Sequence, residues 1–141
     1  MSFDYKNFSV TLVKSMPEAV IYADAEGKIE FWNDGAERMF GFSRADALGQ
    51  SLDLIIPETL RQRHREGFDK TMHTGQSRYG AGEVLAVPAI RNDGSRISIE
   101  FTIVPFKNEA GMMVGIAAVI RDVTKRFEEI RNLRKRVATR E

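Results

Sequence analysis

Cysteine is absent from all 141 residues. Disulfides, thiolate-bound zinc, iron–sulfur clusters and cysteinyl adducts are therefore excluded. Charge of one sign is lacking as well, since 21 basic side chains face 20 acidic ones for a net charge of +1. That balance gives no electrostatic case for a nucleic acid or an acidic membrane as partner. No apolar run approaches the length of a membrane span, and the N-terminus has neither the basic nor the apolar region of a signal peptide. Residence in the cytoplasm without direct membrane contact is the expectation. Histidine is scarce, so imidazole chemistry can come only from His64 or His73.

What is present reads as one globular domain, with 43% hydrophobic and 29% charged residues. Phe3, Phe8, Leu12 and Val13 are spaced for a short amphipathic helix over residues 1–16, which Met16-Pro17 ends. Ala19 to Asp24 and Lys28 to Asn33 flank the turn Ala25-Glu26-Gly27 and predict a β-hairpin. Asn33-Asp34-Gly35 and Ser43 are helix caps, with Gly41 and Gly49 as stops. Glu83 to Arg91 is β-rich, and Pro88 marks it as an edge or bulge because proline cannot donate to a ladder. Arg96 to Phe106 alternates, with Ile97, Ile99, Phe101 and Ile103 on one face. Met112 to Ile120 is apolar on both faces, which predicts a strand covered on both sides. Asp122-Val123-Thr124 caps an exit helix, Lys125 to Arg140, whose seam of Phe127, Ile130, Leu133 and Val137 suits pairing with another helix. The economical packing is α+β: a five-stranded antiparallel sheet with helices on one face. Residues 1–16 form a cap helix, 17–122 the domain, and 123–141 the exit helix.

The functional question lies between Pro57 and Thr74. Pro57 and Glu58 suit a first helical turn, and Gly75 suits the position past its end. Leu60, His64, Phe68 and Met72 then recur every four residues, with Gly67 and Thr71 beside them, so one imidazole stands in an apolar stripe. Arg61, Arg65, Glu66, Asp69 and Lys70 fall on the other face.

This order of elements resembles the PAS family. The matching pieces are Asp24-Ala25-Glu26-Gly27-Lys28-Ile29, Trp32-Asn33, Ala36 to Ser43, Leu48-Gly49, Arg91-Asn92-Asp93-Gly94-Ser95, Gly115, and Ile120 to Arg126. They extend over residues 16–126. The resemblance implies a sensory or interaction module of a signalling system such as a two-component pathway, not itself an enzyme, acting through its exit helix. Within the family, Ile56-Pro57-Glu58 with Arg61, Arg63 and His64 is similar to the haem-bearing subset of oxygen-sensing histidine kinases. That similarity implies haem b with His64 as the iron ligand. Leu60 and Phe68, and Leu85, Ile99, Phe101, Ile103, Ile116 and Ala118 of the sheet, would form the pocket. Those sensors hold an arginine over bound gas at a position comparable to Leu85, and no arginine lies between Tyr79 and Ile90. An apolar distal wall suits carbon monoxide, nitric oxide or redox sensing better than stable oxygen binding.

The other residues have plainer readings. His73 meets the negative end of its helix, Phe31 and Trp32 belong to core or dimer surface, and Met112-Met113 to ordinary packing. The basic run Arg131, Arg134, Lys135, Arg136 is a solvated face. Asp24 and Glu100 make no acid–base pair, and Gly80 and Gly82 no dinucleotide fingerprint. Three functions therefore stand side by side: a haem-based gas or redox sensor, a sensor of another small molecule such as a flavin, and a ligand-free dimerisation module. In each a homodimer is expected, with Asp122 and Thr124 relaying the state of the cleft to the exit helix.

Overall fold

The turn after Asp24 starts the sheet. Asp24 Oδ1 accepts the amides of Glu26 at 2.9 Å and Lys28 at 3.0 Å. Gly27 takes φ 80°, a left-handed conformation that costs glycine little. The computed structural model describes residues 2–75 and 85–139 of the chain. Across this turn Ala19–Asp24 (β1) pairs antiparallel with Ile29–Trp32 (β2). The later strands are Leu85–Ile90 (β3), Arg96–Lys107 (β4) and Met113–Asp122 (β5). The five strands lie in the order β2-β1-β5-β4-β3, every neighbouring pair antiparallel. Pro88 stands in the edge strand opposite Ser98, where its missing donor matters least.

The helices begin at side-chain caps. Asp4 accepts the Asn7 amide before Tyr5–Ser15 (α1), Asn33 that of Ala36 before Asp34–Phe40 (α2), and Ser43 that of Asp46 before Arg44–Ala47 (α3). Asn33 does more than cap. Its buried Oδ1 also accepts from Val20 N at 2.8 Å, and its Nδ2 donates to the carbonyls of Val13 at 2.9 Å and Glu18 at 3.0 Å. One amide thus ties α1 and β1 to the start of α2. Beside it Gly35 lies so close to the chain that a Cβ there would stand 2.1 Å from the Glu18 carbonyl oxygen.

Trp32, Phe40, Ile21 and Ile29 fill the core behind this joint, and Trp32 Nε1 donates to the Phe42 carbonyl at 3.0 Å. Trp32 is therefore core, and Phe31 beside it is half-buried.

Two expectations differ from the structure in detail. The long helix does not start at Pro57: Leu60 N donates to Pro57 O at 2.8 Å, closing a 3-10 turn over Glu58–Leu60, and α-helix runs only from Arg61 to Thr74 (α4). The last strand is covered only in part on its outer side. Its inner face looks toward α4, but on its outer face Ala117 and Val119 are half-buried, and Val104 and Phe106 of the neighbouring strand are 49% and 45% exposed. Apolar character on both faces here marks a central strand with one partly covered side. The exit helix, Thr124–Thr139 (α5), is exposed beyond its half-buried first residue, with Leu133 58% exposed on its seam. The segment Gln76 to Val84, with Tyr79, Gly80, Gly82 and Glu83, lies outside the described residues.

Candidate functional site

No residue of α4 is fully buried, although the helix spans 14 residues. It stands off the sheet, and the space between them is a cavity of about 610 Å³. That size is within the range of small-molecule sites. The sheet contributes the apolar wall: Ile21 and Ala23 from β1, Val87 and Pro88 from β3, Ile99, Phe101 and Ile103 from β4, and Ile116, Ala118 and Ile120 from β5. Alternation brings these residues together, since positions two apart on a strand share a face. The floor is Leu52, Ile55 and Ile56, at and beyond the 3-10 turn Leu52–Ile55.

Leu60, His64 and Phe68 reach the cavity from the side of α4, as the four-residue spacing predicts. The imidazole of His64 lies against the Phe68 ring, centroids 6.2 Å apart at 29° between planes. Burial holds the His64 pKa below its ordinary value, and the negative charge of Asp53 opposes this only in part. At neutral pH the ring is therefore uncharged and able to offer a nitrogen lone pair. Asp53 is fixed by Arg65, whose Nε and Nη2 both donate to Oδ2, while its buried Oδ1 has no partner among the described residues. This pair joins α4 to the 3-10 turn Leu52–Ile55.

Sequence reasoning missed Arg63, which also lines the cavity. The signal was there: Arg63, Gly67 and Thr71 form a second row at four-residue spacing, beside the row of Leu60, His64 and Phe68. Met72, at the end of the expected stripe, does not line it. Leu85 pairs with Phe101 through the backbone, but its side chain lies outside the described residues. His73 is exposed, its Nδ1 2.8 Å from the Asp69 carbonyl oxygen. Asp24 serves its turn and Glu100 pairs with Arg126, so no carboxylate pair forms. Among the described residues no group of three or more metal-ligating side chains converges.

Away from the cavity, Asp122 and Thr124 form the joint to α5. Asp122 Oδ1 accepts from Thr124 N at 2.9 Å and from its hydroxyl at 2.6 Å. Thr124 Oγ1 in turn accepts the Ser98 amide at 2.9 Å. Ser98 neighbours Ile99, which faces the cavity.

Comparison with known proteins agrees with this architecture. Similar chains include an uncharacterized protein of Azorhizobium caulinodans, 34% identical over 84% of this chain and 16% of that protein. Sensor protein FixL of Bradyrhizobium diazoefficiens is 28% identical over 82% of this chain and 22% of its own length. Oxygen sensor protein DosP of Escherichia coli is 28% identical over 83% and 14%. The chain thus spans less than a quarter of the length of these relatives. Among solved structures, a PAS domain from Colwellia psychrerythraea superimposes with a TM-score of 0.74 at 23% identity, covering 86% of this chain and 99% of that one. An RNA-binding light-oxygen-voltage receptor does so with a TM-score of 0.76 at 20% identity, covering 95% and 37%. Both likenesses concern the fold. The family model described as the PAS fold matches residues 13–128, and on that match the chain belongs to the PAS family of sensory modules.

Proposed function

We propose that the cavity holds a small molecule, that this molecule is haem b bound through His64, and that its state is passed to α5 in a homodimer. One observation carries the reading: an uncharged imidazole stands on the wall of an otherwise nearly apolar cavity. Apolar walls and one neutral nitrogen donor are the donor set that haem requires. When bound, haem would supply an iron able to take a diatomic gas or to change oxidation state. Leu60 and Phe68 would flank it on the helix side. The sheet residues named above offer no hydrogen-bond donor to a bound gas, which favours carbon monoxide, nitric oxide or redox change over stable oxygen. The similarity to Oxygen sensor protein DosP supports a sensor of this class.

Flavin fits less well, because its polar ring edge needs several hydrogen bonds and only Arg63, His64 and Thr71 among the described lining residues are polar. A ligand-free dimerisation module is the second reading. It draws on the exposed seam of Phe127, Ile130, Leu133 and Val137 on α5. Titration with hemin separates the two. A Soret band that appears with the wild type and is lost in His64→Ala supports haem. No band with the wild type removes it.

A further inference from the structure

The polar groups of the cavity are not scattered. Arg63, His64 and Thr71 all come from α4, while strands and floor contribute only residues with apolar side chains. Arg63 is the one cationic arginine or lysine among the described lining residues. It is exposed as well as lining, so it stands at the mouth. Neighbouring arginines are committed: Arg61 donates through Nε to the Ile56 carbonyl at 3.0 Å, and Arg65 is held by Asp53. Arg63 has no hydrogen-bond or ion-pair partner among the described residues. A free guanidinium therefore stands at one edge of an apolar chamber.

We propose that Arg63 docks the carboxylate of an amphipathic organic acid whose apolar body fills the cavity. The inference rests on the reading that the cavity is a ligand site, but not on that ligand being haem. A guanidinium takes a carboxylate through paired N–H donors, and the carbon surface beyond it rewards an apolar body. A porphyrin bearing carboxylate arms and a long-chain fatty acid share this chemistry. A neutral lipid or a sugar lacks it.

Two matched pairs of probes test the idea: dodecanoic acid against 1-dodecanol, and protoporphyrin IX against its dimethyl ester. The wild type should bind each acid about tenfold more tightly than its neutral counterpart. Arg63→Gln should remove that preference by weakening the acids alone, and Arg63→Lys should restore part of it. Equal affinity of acid and neutral probe for the wild type overturns the proposal, as does Arg63→Gln binding the acids unchanged, or no acid binding at all. Hemin distinguishes this failure from that of the haem reading. A Soret band lost in His64→Ala, with hemin affinity unaltered in Arg63→Gln, leaves haem standing and removes the arginine dock. Arg63-dependent dodecanoate binding without any Soret band does the reverse.

Discussion

Ser98 and Thr124 lock the exit helix to the strand that walls the cavity. The Ser98 amide donates to Thr124 Oγ1 at 2.9 Å, and its carbonyl accepts from Val123 N at 2.8 Å. Ile99, one residue on, faces the cavity. A shift of β4 at the cavity therefore meets the base of α5 through two hydrogen bonds and the Arg126–Glu100 ion pair. Two packed elements joined this way tend to move between discrete arrangements.

Thr124→Val keeps the shape of the side chain and removes its acceptor. The first turn of α5 should then exchange its amide protons faster, with a stability loss of about 1 kcal/mol. Ligand affinity at the cavity should not change. Hydrogen exchange by mass spectrometry, with probe binding measured on the same sample, reads both effects. Unaltered protection in α5 would show that this joint does not fix the helix.

Asn33→Ala deletes a side chain that makes hydrogen bonds to four backbone groups: the amides of Val20 and Ala36, and the carbonyls of Val13 and Glu18. Even with water replacing some of them, a loss of at least about 2 kcal/mol follows. Urea unfolding should show the midpoint fall. Asn33→Asp supplies the acceptor but not the donor, and adds a buried charge, so it should not restore the loss.

Gly35→Ala would bring a methyl group against backbone, not against a side chain that could turn aside. The Glu18 carbonyl oxygen lies 2.1 Å from the Cβ position, and the Pro17 carbonyl oxygen 2.7 Å. The joint between β1 and α2 must open, and a drop of at least about 2 kcal/mol in unfolding free energy is expected. A variant as stable as the wild type would contradict the close approach.

In the ligand-free protein, burial lowers the His64 pKa from its ordinary 6.5. The unfolded chain then binds the proton more readily than the folded one. The contribution is complete above pH 6.5 and is lost as pH falls from there toward the lowered folded value. Wild type and His64→Gln compared by urea unfolding at about pH 7.5 and about pH 5.5 isolate this slope from that of the carboxylates. The wild type should lose more stability on acidification than the variant. Equal losses would mean that the imidazole is as well solvated folded as unfolded.

Ile130→Asp places a charge in the middle of the exposed α5 seam. Should that seam pair with a second copy, sedimentation at micromolar protein concentration will show a wild-type dimer and a variant monomer. A wild-type monomer would remove α5 pairing from the proposed relay.

The local elements were legible because each rests on neighbours in sequence. Caps at Asn33 and Ser43, the turn at Gly27, and the row of Leu60, His64 and Phe68 follow from residue types at fixed short spacing. Arg63 escaped because it was read only as part of the motif leading to His64, although its helical angle puts it on the cavity side with Gly67 and Thr71. The partial cover on the outer face of β5 escaped for a related reason: apolar residues say that a face prefers cover, not how fully the chain provides it.

By itself, then, the sequence determined the elements, the missing chemistry of cysteine, and an imidazole set among apolar neighbours. Only the tertiary structure decided that β1 would lie beside β5, far apart in the chain, and that α4 would stand off the sheet and leave a cavity. Local spacing specifies which residues share a face. What that face meets depends on long-range pairing, which no short window of residues contains.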